Sequence, residues 1–407
     1  MMKRSKLQNG IQIVTCSDPN SKLVTIGYVV KNGSYNENEN QTGLSHLIEH
    51  MVFKGTINRT VNQINKDIEN VGGYLNACTS FTFTKYYATV PSRYWQVAAD
   101  VLSDIMFNHT FPEDGFKSEK EVVKEEISMY EDNPKSFVID KIYEEIFENY
   151  KNRQTISGKR EDIDRYTIDD LNDMIDTNYC FNNITVLATG NINHEELEKF
   201  VSDYLVKYNI TEEESYVTDY EEFEPHSLNG EVKKFERPDV NQTHLSFAMF
   251  GPGYNHEDIP ALELLVNILG GNTSSLLYDN LREKKGLCYT IGADMETLSD
   301  VSLIIGYAGL NSQSDVIQEI TDLIAGLADN LTEEMLEDSK RYLIGMEDIQ
   351  TETTSSLHSL YTDKIINDDF SPVEERKNKL EKVTLEQAKE VARKCFNKEN
   401  LYFVKLN

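Results

Sequence analysis

No stretch of this 407-residue chain comes near the ~18 consecutive apolar residues that a membrane-crossing helix needs. The opening MMKRSKLQNGIQIV has basic residues with no apolar segment behind them, so no secretory signal is expected. Cysteine is scarce: Cys16, Cys78, Cys180, Cys288 and Cys395 are odd in number, widely spaced and form no C-x-x-C. That excludes a disulfide framework and points to a reducing, cytoplasmic compartment. Positive charge is short as well. With 40 Lys and Arg against 69 Asp and Glu, the net charge of −29 excludes a nucleic-acid binder, which needs a basic surface. Such an acidic chain either draws cationic peptides into a cleft or is simply kept soluble by its charge. Low-complexity tracts are absent and 39% of residues are hydrophobic, a globular composition. The length suits two domains of about 200 residues each.

What the chain does contain is His46-Leu47-Ile48-Glu49-His50. On a helical wheel His50 lies about 40° from His46, and Glu49 about 60° away on the other side. Leu44, Ile48 and Met51 fall on the far face, where they can anchor the helix in a core. Two neutral imidazoles at this spacing suit one zinc ion, and the carboxylate beside them suits a general base for water. The order inverts the commoner H-E-x-x-H and is a zinc-peptidase signature in its own right. The plainer reading is a pair of ordinary histidines on an amphipathic helix. A third ligand decides between the two.

The segment FKSEKEVVKEEISMY, Phe116–Tyr130, predicts another helix. Glu119 and Glu126 fall within about 20° of each other, inside an apolar stripe with Val122, Val123, Ile127 and Tyr130. Glu125 lies about 120° off that stripe. Buried carboxylates without partners are costly, so two of them need a reason. A metal ion is one reason; snorkelling or a lysine partner is the other.

The H-x-x-E-H motif, Phe53-Lys54-Gly55-Thr56 after it, and the Glu126 helix resemble the pitrilysin-type zinc peptidases. That family includes insulin-degrading enzyme and the mitochondrial processing peptidases. The resemblance implies one zinc per chain, with His46, His50 and Glu126 as ligands. It implies Glu49 as the base and Glu119 as a supporting carboxylate. It also implies that Gly72-Gly73-Tyr74-Leu75-Asn76-Ala77-Cys78-Thr79 forms an edge strand pairing with bound peptide at Asn76 and Ala77, with Phe53 as a further substrate contact. Taken alone, 77–90 is rich in Thr, Phe, Tyr and Val and reads as a strand or hairpin.

Glu212, Glu213, Glu214, Asp219, Glu221, Glu222 and Glu224, closed by Pro225, predict an acidic linker over 209–229. It separates expected domains at 1–208 and 230–407, which echo each other. Asn-Tyr-Cys-Phe-Asn at 178–182 matches Arg-Lys-Cys-Phe-Asn at 393–397, Gly43–Thr56 aligns with Pro260–Thr273, and Gly73 aligns with Gly286. Three echoes at nearly one offset predict a duplicated α+β unit. The expected fold is two α/β-roll-like domains with mixed or antiparallel sheets flanked by helices, facing each other across a cleft. In the second copy His46, Glu49 and His50 become Glu263, Val266 and Asn267, so only the first can hold this metal.

Leu281-Arg282-Glu283-Lys284-Lys285-Gly286-Leu287-Cys288-Tyr289 is similar to a segment of the smaller processing-peptidase branch. There the resemblance implies that Arg282 and Tyr289 reach the active site from the second domain. Without it, Arg282 reads as a solvated helix end. Chains of that branch pair to enclose a chamber. The expected function is therefore a zinc-dependent endopeptidase for unfolded, cationic oligopeptides or leader peptides. A homodimer is expected, a heterodimer is the other possibility, and neither nucleic acid nor membrane is a partner. One rival is a non-catalytic, chamber-forming or peptide-binding subunit. Another is a zinc lyase with the same motif, but its short single domain and cysteine ligand fit neither this length nor the duplication.

Overall fold

Val, Ile, Thr and Tyr, whose branched or flat side chains suit a pleated surface, recur through the strands of the first half. These are β1 (Met2–Lys6), β2 (Gln12–Ser17), β3 (Leu23–Val30), β4 (Tyr74–Thr79), β5 (Thr84–Pro91) and β6 (Ile184–Gly190). The computed structural model describes residues 2–147, 155–211, 223–311 and 316–407, so the acidic run 212–222 of the expected linker lies outside the described residues. The six strands form one mixed sheet in the order β1-β2-β6-β3-β5-β4. Only β2 and β6 run parallel.

The second half supplies β7 (Glu231–Phe235), β8 (Thr243–Pro252), β9 (Cys288–Thr297), β10 (Val301–Leu310) and β11 (Tyr402–Leu406). Their order is β7-β11-β8-β10-β9, with β7 and β11 the parallel pair. Strand for strand this is the first sheet without β1. The three sequence echoes thus mark a repeated topology.

Helices α1 (Leu44–Met51), α2 (Val61–Glu69), α3 (Trp95–Phe107), α4 (Glu113–Asp132) and α5 (Pro134–Ile146) follow in the first half. Ile26, Tyr28, Tyr86 and Val186 of the first sheet pack with Leu44, Leu47, Ile48 and Met51 of α1 and Val101, Leu102 and Ile105 of α3. Each of these is at most 1% exposed. At roughly 1.5–3 kcal/mol per fully buried side chain, the four from α1 hold that short helix far more strongly than its own propensity. A second core gathers Leu245, Phe247 and Met249 of β8 with Leu262 and Leu265 of the helix Ile259–Val266.

Contacts divide the chain into two units, and each draws on both halves of the sequence. α5 belongs to the second unit, where it packs on β8, β10 and β11. The helix Thr354–Ile366 belongs to the first unit and packs on β3 and β6. A division into 1–208 and 230–407 therefore does not describe the units: each takes one helix from the other half. Val138, Ile142 and Ile146 give α5 an ordinary buried stripe. Such periodicity shows that a face is covered, not which sheet covers it. The five cysteines form no disulfide with one another, and no described helix is long and apolar enough to cross a membrane.

Candidate metal centre

α1 starts at Gly43, where a left-handed φ of 81° is needed and an added Cβ would meet the Ser157 carbonyl oxygen at 2.5 Å. The buried Glu37 accepts the N–H of Gly43 at 2.8 Å and of Ser45 at 2.7 Å, satisfying amides that the helix start leaves open. Burial of Leu44, Leu47, Ile48 and Met51 then sets the rotation of the helix. His46, Glu49 and His50 are left partly exposed on its other side.

α4 packs through Phe116, Glu119, Val123 and Ile127. That face is centred roughly 45° round from Glu119, further toward Ile127 than the stripe predicted from sequence. Val122 consequently falls outside it at 48% exposed, and Tyr130, near the helix end, is 41% exposed. Glu126 comes to the rim of the packed face with its side chain 25% exposed, beside both histidines. Glu125 is exposed.

His46 Nε2 lies 3.7 Å and His50 Nε2 3.5 Å from Glu126 Oε2. One donor atom from each of the three residues lies within 4.8 Å of the others, and among the described residues they form the one such group. Ligands about 2.1 Å from a tetrahedral zinc sit roughly 3.4 Å apart, so two of the three separations already suit that ion. Two imidazoles and one carboxylate are also a donor set of catalytic zinc sites. The residues fit the metal.

His50 Nδ1–H donates to Glu119 Oε1 at 2.9 Å, which leaves Nε2 as the lone-pair nitrogen facing Glu126. Lys54 pairs with the other oxygen of Glu119. The buried Glu119 is thus explained by a histidine and a lysine, and the metal is needed only for Glu126. Burial, with His50 adding to it, lowers the His46 pKa to about 3, so its imidazole is neutral and able to ligate at neutral pH. Burial also opposes charge on His50, but the Glu119 bond and the charges of Glu49, Glu119 and Glu126 outweigh it and raise that pKa. For Glu119, burial is outweighed by the bonds from His50 and Lys54, and its pKa falls. Burial raises Glu49 even though Thr79 Oγ1 donates to its Oε2 at 2.6 Å. A carboxylate raised in this way accepts a proton more readily, as a base must.

β4 is the last strand of its sheet. Asn76 and Ala77 stand opposite Tyr87 and Tyr86 of β5. The Ala77 amide is bonded to the Asn76 side-chain oxygen at 2.9 Å. Phe53 packs against the first core, its ring centre 6.1 Å from that of Tyr86. Arg282 and Tyr289 lie in the second unit and touch each other. Arg282 Nη1 donates to the Tyr289 carbonyl at 2.6 Å, and the guanidinium stands 5.0 Å from the centre of that ring. The Tyr289 side chain is 77% exposed.

Sequence reasoning assigned no role to Lys54, Thr79 or Glu37. Lys54 follows His50 by one helical turn, a spacing that could have suggested a shared partner. Thr79 lies on the same strand face as Ala77. Glu37 caps from a loop and leaves no pattern in the sequence.

A repeated α+β fold that brings His46, His50 and Glu126 together beside a basic carboxylate has the make-up of a metallopeptidase. Residues 12–160 match the model of insulinase, peptidase family M16, and residues 165–343 match that of the M16 inactive domain. An uncharacterized zinc protease of Bacillus subtilis is 32% identical over 403 residues, covering 98% of this chain and 97% of that one. Another, of Mycobacterium leprae, is 28% identical over 408 residues, covering 97% and 89%. The crystal structure of a Helicobacter pylori protease shares the fold with a TM-score of 0.93 at 22% identity, covering 100% of this chain and 99% of that chain. The chain belongs to peptidase family M16, the insulinase family, as its motifs implied.

Proposed function

We propose that this chain is a zinc-dependent endopeptidase acting on unfolded oligopeptides or leader peptides. The observation that carries this reading is the convergence of His46, His50 and Glu126 next to Glu49. Bound there, zinc supplies a Lewis acid for the scissile carbonyl and lowers the pKa of water toward ~7. Glu49 takes the proton of the attacking water and returns it to the leaving amine. The Thr79 hydroxyl holds the Glu49 carboxylate in place. Glu119, backed by Lys54, keeps His50 in the tautomer that ligates through Nε2.

β4 offers its free edge to an extended peptide, whose main chain replaces the Asn76 side chain at the Ala77 amide. Arg282 and Tyr289 hold the peptide: a guanidinium suits a carbonyl or carboxylate, and an exposed phenol donates to an oxygen. Two copies of the chain pair to enclose a chamber that admits only extended substrates, with cationic ones favoured. Glu49→Gln tests the assignment. It is expected to keep zinc and to lose at least ~100-fold in turnover of a peptide mixture. A Glu49→Gln protein that cleaves near the wild-type rate sinks the base assignment. Wild-type protein that binds zinc and peptide but cleaves nothing leaves the non-catalytic subunit reading in its place.

A further inference from the structure

The repeated fold places a second set of side chains at the position that the metal centre occupies in the first copy. On the helix Ile259–Val266, Glu263 stands where α1 has His46, and the following residue Asn267 stands where it has His50. On the helix Glu333–Gln350, Lys340 and Glu347 are seven residues apart, as Glu119 and Glu126 are on α4. The contacts repeat too. Where His50 bonds Glu119, Asn267 donates to Ser339, next to Lys340, at 2.8 Å. Where Glu126 faces His46, Glu347 faces Glu263, and a guanidinium lies between them.

That guanidinium belongs to Arg376, on the helix Val373–Lys382. Its Nη2 is 3.2 Å from Glu263 Oε2, its Nε is 3.3 Å from Glu263 Oε1, and its Nη1 bonds Glu347 Oε2. Glu347 is 1% exposed and the Glu263 side chain 19% exposed, so two carboxylates share a poorly hydrated site. Like charges so placed cannot both ionise without a cation between them. In the first copy, two imidazoles and a carboxylate leave that place for a metal. In the second, both facing groups are carboxylates and the cation is part of the chain.

We propose that Arg376 is the built-in cation of the second copy: its guanidinium bridges Glu263 and Glu347 where the first copy has its metal centre, so that removing it uncovers a divalent-cation site. Two carboxylates make a hard, oxygen-donor site, which suits Mn²⁺ or Mg²⁺ with water completing the shell. The chain as it stands therefore takes one metal ion, because its second position is already filled.

The experiment uses the full chain with zinc bound, and Mn²⁺ as the probe. Arg376→Ala is expected to melt about 10 °C lower than wild type, the scale for breaking a buried charge pair in a unit of this size. Its Tm should climb as Mn²⁺ is added, and Mn²⁺ bound per chain, read by electron paramagnetic resonance, should exceed the wild-type value by one. Arg376→Lys keeps the positive charge and should recover most of the Tm with no response to Mn²⁺. In the triple variant Arg376→Met, Glu263→Gln, Glu347→Gln all three charges go together. It should fold with a Tm near wild type and bind no extra Mn²⁺. An Arg376→Ala protein that folds but neither gains a Mn²⁺ nor responds to it overturns the proposal. If Arg376→Ala does not fold, the triple variant decides: folding supports a charge role, and failure to fold shows that Arg376 serves packing and overturns the proposal.

Discussion

Replacing Glu119 by Gln keeps the shape of the side chain and removes its charge. In the structure this group is 5% exposed, accepts His50 Nδ1–H at 2.9 Å and pairs with Lys54. The amide oxygen can still accept from Nδ1–H, so His50 keeps its orientation. Two things are lost: the negative charge that makes the imidazole a stronger ligand, and the counter-charge of a half-buried lysine. Losing such a supporting partner weakens metal binding about 10–100-fold, which is about 1.4–2.7 kcal/mol. The assay is competition between the apo-protein and a fluorescent chelator of known zinc affinity at neutral pH. Glu125→Gln is the control, an exposed carboxylate on the same helix. The expected result is a 10–100-fold loss for Glu119→Gln and none for Glu125→Gln. Lys54→Met should not weaken zinc binding, because Glu119 keeps both its charge and its bond to His50. Glu119→Gln within about threefold of wild type, or an equal loss in both variants, would refute the reasoning.

Glu126→Ala should lose most of the bound zinc while Glu125→Ala retains it; equal metal loss by elemental analysis would show that the rotation of α4 is misassigned. His358 is 1% exposed, its ring 5.9 Å from Tyr87, and burial, with the charge of Lys85 adding to it, lowers its pKa to about 3. The unfolded chain takes up this proton near pH 6.5 and the folded chain refuses it, so its stability contribution is full above about 6.5 and is lost as pH falls toward 3. At about 1.4 kcal/mol per unit the loss reaches roughly 2 kcal/mol by pH 5. His358→Gln should flatten that slope in urea unfolding, and identical slopes for variant and wild type between pH 5 and about 6.5 would count against it. An unfolded protein should be cleaved and its stably folded form spared, since folded amides are already bonded. Any preference for Lys- and Arg-rich peptides should fade as salt shortens the Debye length toward ~3 Å at 1 M; a preference that ignores salt would place selectivity in pockets.

His46, Glu49 and His50 were legible in the sequence because one turn of helix fixes their relative positions, whatever surrounds it. Glu126 was only half legible. Periodicity narrowed the third ligand to Glu119 or Glu126, and the resemblance chose between them. What places them physically is the packing of Phe116, Val123 and Ile127, which rotates α4 so that Glu126 meets the imidazoles and Glu119 meets Lys54. The exposure of Val122 follows from that same rotation, which a wheel drawn without a core cannot know, whereas Tyr130 is exposed because the helix is near its end there.

The duplication, the half that carries the His46, Glu49 and His50 motif and the exclusion of a membrane-crossing helix were determined by the sequence alone. Each depends on composition or on spacing along one stretch of chain. Tertiary structure decided the rest: β4 at the sheet edge, the exchange of α5 for the helix Thr354–Ile366, Thr79 on Glu49, and Arg376 between Glu263 and Glu347. These join segments that lie far apart in the chain. A buried stripe or a buried charge announces that it needs a partner, and only the folded chain, by bringing distant segments within hydrogen-bonding distance, selects which one it gets.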